Sequence, residues 1–194
     1  DTLHTIERQA EQLHMAGIEN VPPPDVSWMT ADVDRFELAE TFMLLVPGGA
    51  AHRPGKRWPA IAYRELARHA ASKGVVPLVL GAEAEANVCA EVVKDVPMAR
   101  NLCGRTSLFD IAELSRRAAV AVGNDTGPMH LITTAGCKSV VLFSTDSDPA
   151  LCGQRGPDVE ILRSPMTAGI AFLDVVEAAG LGDGDGIVAR VFEV

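Results

Sequence analysis

Short apolar runs alternate with amphipathic stretches from residue 42 to residue 179, and this rhythm predicts an α/β fold, a Rossmann-like parallel sheet with helices on both faces. Two further observations support it. The apolar runs, such as Phe42-Met43-Leu44-Leu45-Val46, are continuous rather than alternating, as suits strands covered on both sides. Each run is separated from the next by enough chain for one helix, which implies right-handed crossovers between parallel strands. Ligands of such sheets sit beyond the carboxyl ends of the strands, so the loops that follow strands are the ones to search for function.

Taken in order, residues 2–16 read as an amphipathic helix with Leu3, Ile6, Ala10 and Leu13 along one side and Gly17 as its stop. Residues 21–40 contain Pro22-Pro23-Pro24 and several acids, and read as an extended connector with at most a short strand near 26–29. Strand 42–46 opens the regular part, followed by helix 60–72 stopped by Gly74, strand 76–80, helix 83–94 and a short strand at 99–103. Helix 108–117 starts at Ser107, which with Asp110 reads as a capping box. Strand 119–122, helix 128–135, strand 139–143, a long polar loop, strand 159–162 and helix 172–179 complete the alternation. The expected organisation is a helix and proline-rich linker over 1–40, a ligand-binding domain over 41–180 and a tail over 181–194.

Composition narrows the classes of function. With 194 residues, 47% of them hydrophobic, the chain has enough apolar material for one cored domain with appendages. No run approaches a membrane span and the first residues lack signal-peptide organisation, so a soluble, cytoplasmic protein is expected. A formal charge of −9, with no basic stripe and no array of stacking aromatics, argues against nucleic acid as a partner. Cys89, Cys103, Cys137 and Cys152 lack C-x-x-C spacing, which indicates reduced thiols rather than a zinc site or a disulfide framework.

The segment V-A-V-G-N-D-T-G-P-M-H-L-I-T-T-A, residues 120–135, joins a buried strand to a helix through a polar turn bracketed by Gly123 and Gly127. Pro128 suits the first helical turn, where its missing N–H costs nothing. Free backbone N–H groups and the positive end of the helix dipole then face an anion above Asp125 and Thr126. Thr126 adds a hydroxyl, Asp125 a carboxylate able to hold sugar hydroxyls, and His130 lies one turn in, facing the same mouth. The plainer alternative is that Asp125 or Thr126 only caps the helix.

The loop after the first core strand, P-G-G-A-A-H-R-P-G-K-R-W-P, is glycine-rich and then basic. Gly48 and Gly49 let backbone N–H groups converge on an anion, and Lys56 brings an ammonium to phosphate oxygens, although the spacing is not that of a Walker A loop. Trp58-Pro59 reads as packing, and His52 and Arg53 as a solvated face. After the second strand, Glu83 or Glu85 can reach a ribose diol, or else can serve the dipole of the following helix. Arg105 and Thr106 precede the capping box and face the site, and the polar loop after Phe143 either closes one wall or is solvated.

The set P-G-G…K-R-W-P…Y-R-E-L-A, L-V-L-G-A-E-A-E, A-E-L-S-R-R-A, G-N-D-T-G-P-M-H-L and V-V-L-F-S-T-D-S-D-P resembles family 9 glycosyltransferases, which include the ADP-heptose:lipopolysaccharide heptosyltransferases. The D-T-G-x-x-H-L segment with the upstream K-R-W-P is the specific part. The resemblance implies a two-domain GT-B fold of which this chain is the C-terminal, nucleotide-sugar-binding half, with residues 1–40 as a bridge and an N-terminal acceptor domain absent from the chain. It implies that Lys56 contacts donor phosphates, that Asp125, Thr126 and Gly127 line diphosphate and sugar with His130 beside them, that Glu85 or Glu83 lies near the ribose, and that Thr106 lies near the base. It further implies no metal and no cofactor, an ADP-heptose-like donor, inversion at the anomeric centre, a lipopolysaccharide-type or other envelope glycolipid acceptor, and a cytoplasmic site extending to peripheral contact with the inner membrane. The catalytic base belongs to the other domain, so no catalytic residue is named. Ala50, Ala51 and His52 stand where many members carry hydroxyl side chains, and Ser144 where glycine is usual.

The reading that follows is the donor-binding part of a metal-independent sugar transferase. Amides at Thr126 and Gly127, the Thr126 hydroxyl and the Lys56 ammonium are the groups that would stabilise charge on a departing nucleoside diphosphate. The alternatives are a non-catalytic nucleotide or nucleotide-sugar binding module and an enzyme like the sugar-nucleotide epimerases. The second would require more carboxylates and histidines than Asp125 and His130 supply.

Overall fold

Six parallel strands form one sheet in a computed structural model that describes residues 2–50 and 52–182. In chain order they are β1 (Phe42–Val46), β2 (Val76–Val79), β3 (Arg100–Asn101), β4 (Val120–Asn124), β5 (Ser139–Phe143) and β6 (Val159–Arg163), and their spatial order is β3-β2-β1-β4-β5-β6. This is the doubly wound order of Rossmann folds, in which the chain runs outward one way from β1 and then returns to β4 to run the other way. β1 and β4 are hydrogen-bonded neighbours, with Val46 opposite Gly123, so the crevice between the loops that leave them is the topological switch point.

The helices are α1 (Thr5–Met15), α2 (Ala60–Ser72), α3 (Ala86–Val93), α4 (Leu108–Arg117), α5 (Gly127–Thr134), α6 (Pro149–Cys152) and α7 (Phe172–Ala178). Alternate strand residues face opposite sides, which divides the core in two. Met43, Leu45, Val79, Val122 and Leu142 pack against Tyr63 and Leu66 of α2, Val92 of α3 and Val175 of α7. Phe42, Leu44, Leu78, Val141 and Phe143 pack against Ile111 and Leu114 of α4 and Met129 and Ile132 of α5.

Several elements differ from the sequence expectation, each for a local reason. No strand forms near 26–29, because the Asp25 carboxylate accepts the Ser27 N–H at 2.8 Å and turns the chain. The 21–40 connector is not simply extended. Val33 and Phe36 are buried against the sheet, and a 3-10 turn spans Asp34–Phe36. The strand at 99–103 is reduced to two residues, since the Asn101 side chain accepts the Cys103 N–H and the chain turns there. The helix at 83–94 begins as a 3-10 turn, Glu83–Glu85, because the Glu85 carboxylate folds back onto the Ala82 N–H at 2.9 Å. The loop after β5 contains α6, whose N-cap Asp148 accepts the Ala150 N–H.

Helix α1 buries none of its residues; Ile6 and Leu13 on it, and Leu3 just before it, are exposed. It is tied to α6 by polar contacts: Thr5 Oγ1 donates to Leu151 O, His4 Nε2 bonds Gly153 O, and Arg155 pairs with Glu7 at 2.6 Å. Of the tail expected at 181–194, residues 183–194 lie outside the described residues.

Candidate functional site

Asn124, the last residue of β4, organises the switch point. Its side chain is fully buried, and every polar valence on it is used. Nδ2 donates to the carbonyls of Pro47 and Gly48, both at 2.9 Å, and Oδ1 accepts the Trp58 N–H at 3.0 Å and the Tyr63 hydroxyl at 3.1 Å. One amide thus fastens both ends of the loop after β1 to the central strand. Trp58 closes the assembly from behind as expected, edge-on to Tyr63 and donating from Nε1 to Ile170 O. Asn124 is not among the residues that the local sequence pattern marks for the site, although an amide at the end of an apolar strand calls for partners.

In front of this hub the loops after β1, β2, β3 and β4 enclose a cleft of about 740 Å³. Of the residues singled out in the sequence, Glu85, Thr106, Asp125, Thr126 and Gly127 line it, together with Gly48 and Gly49. Lys56, Glu83 and His130 do not. The cleft also takes in Arg57, the sequence neighbour of Lys56.

The turn after β4 does not work as a side-chain cap. Thr126 occupies the N-cap position of α5 without a capping hydrogen bond, and its Oγ1 is buried with no partner among the described residues. Asp125 is held instead by three donors from two other loops. Lys56 Nζ lies 2.5 Å and Ser147 Oγ 2.8 Å from Oδ2, and Gln154 Nε2 donates to Oδ1 at 3.1 Å. Burial pushes this carboxyl up, but the hydrogen bonds from Lys56, Ser147 and Gln154 and the Lys56 charge outweigh burial and hold it below its ordinary value. The polar loop after β5 therefore closes one wall, and Lys56 is the counterion of Asp125.

Glu85 lies in the cleft in a bracing posture. Its Oε1 accepts the Gly49 N–H at 2.8 Å and its Oε2 the Ala82 N–H, tying the loop after β1 to the start of the α3 segment. A side chain at residue 48 would overlap the Glu85 carboxylate, which explains the glycine there. The expectation that Gly49 offers its N–H to an anion is corrected, because Glu85 already holds that donor. Exposed Glu83 packs its side chain against Gly104 outside the cleft. His130, expected to face the same mouth, also lies outside the lining, within electrostatic reach of Asp125 and His4. Burial lowers its imidazole below the usual value, with His4 acting in the same direction and Asp125 opposing them. Among the described residues, no three His, Cys, Asp or Glu side chains converge as metal ligands.

Residues 3–172 match the family model described as glycosyltransferase family 9 (heptosyltransferase). The chain belongs to glycosyltransferase family 9. This family 9 chain is 28% identical over 104 residues to lipooligosaccharide heptosyltransferase 2 of Haemophilus influenzae, and 29% identical over 104 residues to lipopolysaccharide heptosyltransferase 2 of Escherichia coli. Either match covers 51% of this chain and 30% of the relative. In fold it is similar to E. coli ADP-heptose lps heptosyltransferase II, with a TM-score of 0.70 at 22% identity over 89% of this chain and 54% of that one. It is also similar to E. coli heptosyltransferase WaaC with ADP, with a TM-score of 0.72 at 21% identity over 91% and 56% of the two chains. The family 9 chain thus spans roughly half the length of these solved structures. Among its described residues no helix is long and apolar enough to cross a membrane.

Proposed function

We propose that this chain is the nucleotide-sugar-binding part of an inverting, metal-independent glycosyltransferase that moves a sugar, heptose being favoured, from a nucleoside diphosphate to a lipopolysaccharide-type or other envelope glycan acceptor. The observation that carries the reading is the cleft at the β1/β4 switch point, walled by Asp125, Thr126 and Gly127 at the start of α5. That position favours an anion through helix-terminal amides and dipole. The buried Thr126 hydroxyl, without a partner among the described residues, supports the same reading, because a buried polar atom calls for a partner. Family membership and relatives named for ADP-heptose and ADP support an ADP-heptose-like donor.

In this reading the bond between the anomeric carbon and the β-phosphate oxygen breaks as an acceptor hydroxyl attacks from the opposite face. Its proton passes to a base in an N-terminal acceptor domain. This chain's part is to hold the donor and stabilise the negative charge that develops on the departing diphosphate. An epimerase-like role is disfavoured by the lining, where both carboxylates, Asp125 and Glu85, are already held by protein donors.

Calorimetric titration of ADP, UDP, GDP and CMP tests the proposal. ADP is expected to bind tightest and to bind equally well with a chelator present. Loss of binding on chelation removes the metal-independent part of the reading, and no binding of any nucleotide removes the donor-binding role.

A further inference from the structure

We propose that Cys89 and Cys103 form a redox modification site, a dithiol that a peroxide converts to a disulfide stapling α3 to the loop after β3 along one wall of the cleft. Both thiols meet at one short stretch of backbone, residues 80–82, which follows β2. Cys89 Sγ donates to Leu80 O at 3.7 Å and Cys103 Sγ to Ala82 O at 3.0 Å. Between those carbonyls, a Cβ on Gly81 would stand 2.6 Å from Cys89 Sγ, so the thiol fills the space over that glycine. The Gly104 N–H donates to Gly81 O at 2.8 Å and brings the Cys103 loop to the same place. The two thiols also hydrogen-bond each other. Leu80, Gly81, Ala82 and Glu85 line the cleft, so a covalent link formed here lies against its wall whatever ligand the cleft takes.

The two sulfurs differ in access. Cys89 is wholly buried, and Cys103 is half-buried at the edge of the same core. Burial, contact with Cys103 and the nearby Glu85 charge push the Cys89 thiol up to about 12, which keeps it protonated and inert by itself. Cys103 is therefore the sulfur that meets the oxidant. Its Sγ attacks one peroxide oxygen, the O–O bond breaks, and the thiol proton leaves with the other oxygen as water, giving a sulfenic acid. Cys89 Sγ then displaces hydroxide from the Cys103 sulfur, and the Cys89 proton leaves with that hydroxide as a second water. Two thiols lose two electrons in all, and one peroxide gains them.

The remaining cysteines have other surroundings. Cys137 Sγ donates to Lys138 O at 3.3 Å and Cys152 Sγ to Asp148 O at 3.3 Å, on other elements. All four thiols are free in this structure, which is thus the reduced form. A disulfide holds its sulfurs much closer than two thiols in contact, so oxidation draws α3 and the loop after β3 together and shortens the reach of any local opening there.

The test is exposure of the folded chain to hydrogen peroxide, alkylation of the remaining thiols, tryptic digestion without reductant and mass spectrometry. Trypsin separates the two cysteines at Lys94 and Arg100, so a linked pair of peptides reports the bond directly. The unaltered chain and the Cys137→Ser and Cys152→Ser variants are expected to give the Cys89–Cys103 linkage and to lose it on treatment with dithiothreitol. Cys103→Ser is expected to give no linkage, and Cys89→Ala to accumulate sulfinic acid at Cys103, because no second thiol then intercepts the sulfenic acid. Hydrogen exchange at the Gly104 amide is expected to slow in the oxidised chain relative to the reduced one. Separate alkylation of Cys89 and Cys103 after peroxide, or linkage of either to Cys137 or Cys152, would overturn the site. Unchanged exchange at Gly104 in a chain that carries the linkage would overturn the stapling of the wall.

Discussion

Asp125 has three protein donors around it, and two consequences follow for that residue. Asp125→Asn removes the charge that balances a largely buried Lys56 and replaces one of the two acceptor oxygens by an NH2 group, which cannot accept from the donors around it. Removing one partner of a buried pair is costly, so the variant is expected to lose about 3 kcal/mol in urea unfolding. A stability change of a few tenths, as for an exposed cap, would show that the pair is effectively solvated. The second consequence concerns acid. A carboxyl whose folded value lies below its ordinary 3.8 gives its full stabilisation above that pH and loses it as pH falls through the folded value. Asp110, with burial opposed by Arg35 and Ser107, behaves likewise. Unfolding free energy is expected to fall steeply below pH 4, and Asp125→Asn should make that fall shallower; equal slopes would assign the acid limb to other carboxylates.

At the scale of elements, the loop after β1 owes its shape to contacts from β4 and the α3 segment. Asn124→Ala leaves the Trp58 N–H buried and unbonded and releases two carbonyls, so about 3 kcal/mol or more of stability should be lost. Glu85→Ala should leave the fold intact and speed hydrogen exchange at the Gly49 and Ala82 amides; unchanged exchange there would mean that the brace is not what orders the loop. These elements also show what the sequence made legible. The central strands were, because each is an unbroken apolar run whose burial on both sides requires helices on either face. The edge strand β3 was overestimated, since Asn101 can satisfy the next backbone donor itself and end the pairing. The turn before α5 was legible as a cleft wall from its local residue pattern. The partners of Asp125 were not, because Lys56 and Gln154 lie in loops 69 and 29 residues away and no local pattern records such a meeting.

At the scale of the molecule, the cleft is lined by the loops that leave the sheet, whereas α1 lies apart from it with Ile6 and Leu13 exposed. In the proposed reading the acceptor site lies in another domain, so donor binding and sugar transfer separate. The isolated chain is expected to bind ADP and to transfer no sugar, measured as release of nucleoside diphosphate with a glycolipid acceptor present. Turnover above a protein-free control would place the base and acceptor site in this chain.

The bonding of Asn124 bears on how this protein comes apart. Its fully buried amide belongs at once to the central strand and to the loop that shapes the cleft. Such a cleft has little room to melt ahead of its scaffold. Heating should abolish ligand competence and sheet structure in one cooperative step, with binding and far-ultraviolet signals superimposed along the same curve.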